Sequence, residues 1–178
     1  MPAAHGTERN EEGPPEKASL VVLTRTAEET WELGAALGRV FRQLPASGAV
    51  VVLDGPLGAG KTVLVQGLAR GLDVSGVVRS PTFTLIHEHR GPVPLHHVDL
   101  YRLEPSDLEG LGLEEILDGP GVAAIEWGER AGAVLPSEHL RIEIAFGAGE
   151  SDRRVRVIAT GERYRRVVEA LRACVFSR

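Results

Sequence analysis

Hydrophobic and polar positions along the chain follow two different periods, which predict strands and helices. The run AVVVLD at Ala49–Asp54 is apolar up to its last residue, as is typical of a strand covered on both faces of a parallel sheet. Between Thr26 and Leu44, apolar residues recur at helical spacing, and Thr26 with Glu29 forms a capping box that marks the start of an amphipathic helix. These two segments indicate an α/β protein.

The remaining segments continue this alternation. We predict strands at Ser19–Leu23, Gly121–Trp127, Leu140–Phe146 and Arg153–Thr160, with two more on either side of a turn at Arg90–Gly91. We predict helices at Thr62–Leu72 and Glu162–Val175. A second capping box, formed by Ser106 and Glu109, predicts the start of a further helix. Strands that alternate with helices indicate a sandwich around a mostly parallel sheet.

Length and composition fit one globular domain. With 178 residues, of which 43% are hydrophobic, the chain is long enough to bury a core, and we expect a single domain over residues 18–178. Residues 1–17 are rich in acids and prolines, so we expect a disordered tail and neither a signal peptide nor a membrane segment. The expected location is then the cytoplasm. Cys174 is the only cysteine, which excludes an internal disulfide.

The charge distribution bears on the kind of partner. A net charge of −5 argues against a broad basic face that binds RNA or DNA unaided. Seven arginines nevertheless lie between Arg153 and Arg172. This segment is either a solvated face or a docking surface for RNA or an acidic partner, and the sequence leaves both open.

A glycine-rich segment carries the clearest chemistry. Gly55–Thr62, with the sequence GPLGAGKT, matches the phosphate-binding pattern G-x-x-x-x-G-K-[ST], whose glycines let backbone N–H groups approach phosphate oxygens. The following helix adds its positive N-terminal end. Lys61 would contact the β- and γ-phosphates, and the Thr62 hydroxyl would ligate Mg²⁺. With this loop, the predicted fold class is a three-layer P-loop NTPase-like sandwich with a mostly parallel central sheet and antiparallel additions.

Two acids at predicted strand ends are candidates for a metal site. Asp99 follows LHHV and Glu126 follows VAAI, and ligands of open α/β sheets bind at the carboxyl ends of strands. Either acid would reach Mg²⁺, orient the attacking water, or be an ordinary surface charge. Thr82, in RSPTFTL, is a candidate sensor of the γ-phosphate or part of an ordinary turn. His97 faces away from His96 on a strand, so we expect a packed or surface histidine.

Four segments together resemble one family. GPLGAGKT, SPTFTL, HVDLYRL and IEWGER, in this order and at these spacings, resemble the bacterial TsaE (YjeE) ATPases over about Leu20 to Ile144. The resemblance implies a protein that supports the threonylcarbamoyladenosine modification of tRNA. It implies ATP and Mg²⁺ as cofactors, a TsaB–TsaD complex as the partner, and weak hydrolysis without that partner. Contact with tRNA would be indirect.

The resemblance also implies roles for individual residues. Lys61, Asp99, Glu126 and Thr82 would take part in hydrolysis, with Asp99 as the Walker-B-like acid and Thr82 in a switch-like loop. Thr62, Glu126 and Asp99 would hold Mg²⁺. The nucleotide would be bound by Leu57, Gly58, Ala59, Gly60, Lys61, Thr62 and Val63, with Thr26 near the adenine. The site or the partner-facing surface would be shaped by Tyr101, Arg102 and Trp127.

Two positions depart from the family pattern. Pro56 stands where the family usually has aspartate, and it has no N–H to donate to a phosphate. Val63 stands where the family often has a second threonine. Neither change removes Lys61 or Thr62, so we expect nucleotide binding to survive.

Three other functions compete with this one. A Ras-type GTPase needs an Asn-Lys-x-Asp motif, which is excluded because Asn10 is the only asparagine and no lysine follows Lys61. A small-molecule P-loop kinase needs an acceptor pocket and commonly a lid, and no long lid segment interrupts the α/β pattern. A non-catalytic protein that only signals nucleotide occupancy would tolerate the loss of Asp99 and Glu126. The last two remain open as alternatives.

Overall fold

The fold is an α/β sandwich with seven strands and four α-helices among the residues described, which are 18–44, 48–81, 85–108 and 110–176 of a computed structural model. The strands are β1 (Ser19–Thr24), β2 (Ala49–Asp54), β3 (Ile86–His89), β4 (Leu95–Asp99), β5 (Val122–Glu126), β6 (His139–Phe146) and β7 (Arg153–Thr160). The helices are α1 (Ala27–Gln43), α2 (Lys61–Gly71), α3 (Leu113–Asp118) and α4 (Glu162–Phe176).

The seven strands form one sheet in the order β1-β7-β6-β2-β5-β4-β3. β6, β2, β5 and β4 are parallel to one another and make up its centre. β3 adds antiparallel at one edge, and β7 and β1 add antiparallel at the other. The predicted fold class, a three-layer P-loop NTPase-like sandwich with antiparallel additions to a mostly parallel centre, is confirmed.

β2 is buried on both faces, which explains its continuous apolar sequence. Ala49, Val51 and Leu53 pack into a core with α1, α2 and α4. Val50 and Val52 point to the opposite face and pack into a second core with α3 and the segments around it. Because neighbouring residues of a strand face opposite sides, each residue of the run serves one of the two helical layers.

Helices α1 and α2 pack at unusually close range because glycines face each other. A side chain carbon added at Gly67 would overlap the carbonyl oxygen of Trp31, and one added at Gly38 would overlap that of Leu68. Gly34 and Gly71 lie at equally close points of the same contact. The spacing of four between the glycines of each helix puts them on one face. This close contact fixes α2, and with it the glycine loop, against α1.

One predicted helix begins later than its capping box indicated. Pro105–Leu108 forms only a short 3-10 turn, and the helix expected from Ser106 instead begins at Leu113. Gly110 and Gly112 adopt left-handed backbone conformations, which interrupt a continuous right-handed helix. Glu109, the second residue of the predicted box, lies outside the described residues. The other strands and helices lie within a few residues of their predicted bounds.

Some predictions concern parts of the chain that the structure does not describe. The expected disordered tail over residues 1–17 is one of them, and the switch-like role expected for Thr82 is another. Within the described ranges, no helix combines the length and the apolarity needed to cross a membrane.

Candidate functional site

The glycine loop connects the central strand of the sheet to the start of α2. β2 ends at Asp54, and Gly60 takes a left-handed conformation with φ of 103° directly before the first helical residue, Lys61. Inside the loop, the Ala59 N–H donates to the carbonyl oxygen of Pro56 over 3.1 Å. Pro56, which has no N–H, thus contributes its carbonyl group to the closure of the loop. The backbone N–H groups at the start of α2 point away from the helix, as an anion site requires.

Asp99 and Glu126 meet at the carboxyl ends of two neighbouring parallel strands. They are register partners at the ends of β4 and β5. Both are buried, with Asp99 5% exposed and Glu126 3% exposed. The Thr62 hydroxyl donates to Oε1 of Glu126 over 2.8 Å, which joins the start of α2 to the end of β5. The two acids thus lie on neighbouring strands at the edge of the sheet where open α/β proteins bind their ligands.

His97 lies on β4, next to β5, and contacts Glu126 across the two strands. Its Nε2 lies 2.8 Å from Oε1 of Glu126, and its side chain is fully buried. Nδ1 of His97 has no hydrogen-bond partner among the described residues. Because an ionised carboxylate oxygen only accepts hydrogen bonds, the Nε2–H group of His97 is the donor of this hydrogen bond and Oε1 of Glu126 is the acceptor. His97 is therefore packed, as expected, but it packs against a candidate site residue.

Asp99 accepts hydrogen bonds from Ser80 and Tyr101. The Ser80 hydroxyl donates to Oδ2 over 2.9 Å, and the Tyr101 backbone N–H donates to Oδ1 over 3.0 Å. Ser80 belongs to the segment in which the sequence singled out Thr82. The described part of that segment therefore reaches the site through a serine hydroxyl. The sequence could not predict the contact between Ser80 and Asp99, because a Ser-Pro pair before a strand is equally typical of an ordinary turn.

Lys61 is buried beneath an aromatic side chain. Its Nζ donates to the carbonyl oxygens of Gly55, over 2.6 Å, and of Pro56, over 3.0 Å. Nζ also lies 3.8 Å from the centre of a ring of Trp127, which attracts the cation through its π face. Burial lowers the pKa of Lys61 below its ordinary value, against the raising influence of nearby carboxylates, of which Glu126 contributes most.

Trp127 and Tyr101 form one wall of the site. Their rings lie 4.9 Å apart between centres, and Trp127 has a left-handed backbone with φ of 61°, which is rare for a bulky residue. A cavity of about 350 Å³ lies between this wall and the glycine loop. It is lined by Leu57, Gly58, Gly60, Lys61, Thr62, Val63, Ser80, Asp99, Tyr101, Glu126 and Trp127.

Most of the predicted site residues therefore come together, Thr26 lies elsewhere, and Thr82 lies outside the described residues. Thr26 caps α1 by accepting the Glu29 N–H, and it lines a separate cavity between β1, α1 and α4. Thr30, one turn further along α1, lies beside Gly60 of the loop. The start of α1 is thus near the loop, although Thr26 does not line the cavity next to Lys61. The adenine contact assigned to Thr26 stays a prediction.

The arginines near the C-terminal end serve the fold at several points. Arg163 donates to the Gly48 carbonyl oxygen, and Arg172 donates to that of Ser19. Arg153 donates to the Ala59 carbonyl oxygen, inside the glycine loop. The sequence offered a solvated face or a docking surface for this segment, and no pattern linked it to the loop.

The parallel sheet, the glycine loop between its central strand and α2, and the acids at the neighbouring strand ends define the chain as a P-loop NTPase-like protein. The family model of the threonylcarbamoyl adenosine biosynthesis protein TsaE matches residues 24–155. The chain belongs to the TsaE family.

Individual relatives agree with this assignment. The tRNA threonylcarbamoyladenosine biosynthesis protein TsaE of Nostoc sp. is 46% identical over 67% of this chain and 74% of its own. Its counterpart in Bacillus subtilis is 41% identical over 76% of this chain and 85% of its own. The crystal structure of Bacillus subtilis YdiB superposes with a TM-score of 0.77 at 36% identity, and covers 91% of this chain and 99% of that one.

Proposed function

We propose that the chain binds ATP with Mg²⁺, hydrolyses it, and thereby supports threonylcarbamoyladenosine modification of tRNA by driving turnover of a TsaB–TsaD-like partner complex. The observation that carries this proposal is the facing pair of Thr62 and Glu126, with Lys61 and Asp99 beside them, at one end of the sheet. These are the groups that phosphoryl transfer requires: a cation for the phosphates, ligands for a metal ion, and a carboxylate near the attacking water.

The donor atoms fit Mg²⁺. Thr62, Glu126 and Asp99 offer hydroxyl and carboxylate oxygens, which this small, hard cation prefers. The described residues contain no cluster of three or more His, Cys, Asp and Glu side chains that would hold a metal ion by itself. An ion that binds together with nucleotide phosphates needs only one or two protein carboxylates. When bound, Mg²⁺ neutralises charge that develops on the phosphate oxygens.

The nucleotide phosphates would lie in the glycine loop. The residues proposed to bind them are Leu57, Gly58, Ala59, Gly60, Lys61, Thr62 and Val63, with Thr26 proposed near the adenine. Lys61 would exchange part of its contact with the loop carbonyls for contact with the β- and γ-phosphates. Between Asp99 and Glu126, one would hold the metal and the other would orient water, and Thr82 would sense the γ-phosphate. Ser80 and His97 would hold the two carboxylates in place.

The proposed partner follows from the family. The relatives are named for tRNA threonylcarbamoyladenosine biosynthesis, and the proposed partner in that pathway is a TsaB–TsaD-like complex that handles the tRNA. The net charge of −5 supports an indirect relationship with tRNA. A site that a partner completes is slow without it, so we expect weak hydrolysis by the chain alone.

Replacement of the two carboxylates tests the proposal. We expect Asp99→Asn and Glu126→Gln each to reduce ATP hydrolysis about a hundredfold or more in a single-turnover assay, because an amide neither orients water as a base nor holds Mg²⁺ as well. Glu169→Gln, an exposed acid of α4, is the matched control and should leave the rate unchanged. Phosphate appearing on an added small acceptor would instead support a kinase, and partner function that survives both substitutions would support a non-catalytic role.

A further inference from the structure

Arg153 connects the outside of the glycine loop to the turn between β6 and β7. Its Nε donates to the Ala59 carbonyl oxygen over 3.0 Å, and one Nη lies 3.4 Å from the Gly58 carbonyl oxygen. The other Nη donates to the carbonyl oxygens of Glu150, over 2.9 Å, and Asp152, over 2.8 Å. A single guanidinium group thus spans four backbone carbonyls from two segments that are distant in the sequence.

The arginine is itself held in position. Its guanidinium carbon lies 4.8 Å from the centre of the Phe146 ring, which is its register partner on β6. The turn it contacts is closed by a 2.8 Å hydrogen bond from the Gly147 N–H to the Asp152 carbonyl oxygen. A planar group that lies over a ring and is bound to a closed turn loses little freedom when it also binds the loop. The contact with Ala59 is therefore made by a pre-oriented donor.

The contact fixes the direction of a loop N–H. A peptide unit is planar and trans, so its C=O and the N–H of the next residue point in opposite directions. The Ala59 carbonyl points at Arg153, and the Gly60 N–H of the same peptide unit points away from it. Gly60 lines the cavity beside Lys61. Ala59 is fully buried, which leaves this peptide little room to rotate.

We propose that Arg153 is a positioning residue for the phosphate loop: it sets the Gly60 N–H toward the bound phosphates and adds a positive charge behind them. This inference rests on the proposed binding of ATP. It assigns to Arg153 a role in nucleotide affinity and separates this arginine from the others of the C-terminal segment. Through Arg153, the β6–β7 turn is also connected to the loop, because the same side chain binds carbonyl oxygens of both segments.

The test compares three variants by ATP affinity, measured by calorimetry with Mg²⁺ present. We expect Arg153→Ala to raise the Kd for ATP about tenfold, as loss of its two contacts with the loop carbonyls predicts. Arg153→Lys keeps the charge but cannot span loop and turn, so it should restore less than half of the lost binding free energy. Arg154→Ala, its exposed neighbour on β7, is the matched control and should bind ATP like the wild type.

A second readout separates positioning from a general effect on folding. We expect the increase in Tm on addition of ATP to shrink in Arg153→Ala, and KM to rise while kcat stays within about twofold, because the lost contact serves ground state and transition state alike. An Arg153→Ala variant with a lower Tm but an unchanged Kd for ATP would overturn the inference. If that variant does not fold, Arg153→Lys decides: a Kd for ATP equal to that of the wild type would overturn the inference. Wild-type protein that binds no ATP would overturn the proposed function as well.

Discussion

The Thr62 hydroxyl and the Glu126 carboxylate are hydrogen-bonded, with 2.8 Å to Oε1 and 3.1 Å to Oε2, although 64 positions separate them in the chain. The contact joins the first turn of α2 to the end of β5, one strand away from β2. It holds two of the three proposed oxygen donors for Mg²⁺ in one place, so that little rearrangement is needed to exchange their mutual hydrogen bond for a shared cation.

Removal of the Thr62 hydroxyl should therefore weaken the use of Mg²⁺. Thr62→Val keeps the shape of the side chain but offers no oxygen, and we expect it to raise the Mg²⁺ concentration for half-maximal hydrolysis at least about tenfold. Thr62→Ser keeps the hydroxyl and should stay within about threefold of the wild type. The measurement is a Mg²⁺ titration of ATP hydrolysis at saturating ATP. A valine variant with an unchanged Mg²⁺ requirement would remove Thr62 from the proposed metal site.

His97 should matter for the orientation of Glu126. His97→Leu removes the donor to Oε1, and we expect kcat to fall about tenfold, as is typical when a carboxylate in a metal site loses its hydrogen-bond partner, the role proposed for Glu126 or Asp99. His97→Gln offers a side-chain N–H in its place and should recover most of the rate. Steady-state hydrolysis with the partner present measures both. Equal losses in the two variants would show that the imidazole serves packing alone.

The contact between α1 and α2 should tolerate no added methyl group. In an ordinary helix, Gly→Ala stabilises by about 1 kcal/mol. At Gly67 we expect the opposite sign, a loss of about 1–3 kcal/mol or more, because the new carbon would overlap the Trp31 carbonyl oxygen and force the helices apart. Urea unfolding followed by circular dichroism gives the free energy. A Gly67→Ala variant as stable as the wild type would show that the two helices readily separate.

Tyr164 should stabilise the start of β2 in a pH-dependent way. The Val50 N–H donates to its hydroxyl over 2.8 Å, so Tyr164→Phe leaves a buried N–H unpaired and should cost about 1–3 kcal/mol at neutral pH. Burial raises the pKa of Tyr164 above its ordinary value of about 10.

Because the folded chain holds this proton more tightly than the unfolded chain, Tyr164 contributes stability below about pH 10 that is lost as pH rises through the folded-state pKa. The wild type should accordingly lose stability more steeply than Tyr164→Phe between about pH 10 and 12. Urea unfolding of both proteins at several alkaline pH values provides the comparison. Parallel pH profiles would contradict the assigned role.

The sequence predicted the elements whose patterns are local. The run at Ala49–Asp54 and the glycine loop after it were readable because burial on both faces and phosphate binding each restrict residue types strongly. Asp99 and Glu126 were found because strand ends of a parallel sheet converge. The start of a helix at Ser106 was predicted wrongly, since a capping box is a short pattern that Gly110 and Gly112 override, and the helix begins only at Leu113.

Contacts between distant segments left no such pattern. His97 was readable only as one of two adjacent histidines, although alternation puts it on the same face as Asp99. The two glycine pairs of α1 and α2 were visible as spacings, but only packing shows that they face each other. Arg153 stood among other arginines, and its contact with Ala59 depends on the β6–β7 pairing.

The most direct test of the central claim is the rate of ATP hydrolysis by the purified chain, alone and with a purified TsaB–TsaD complex, for the wild type and Lys61→Ala. We predict a slow rate for the wild type alone, a clear increase with the complex, and no hydrolysis above background for Lys61→Ala in either condition, because Lys61 is the cation proposed for the phosphates. A rate that the complex does not change, or a Lys61→Ala variant as active as the wild type, would contradict the account.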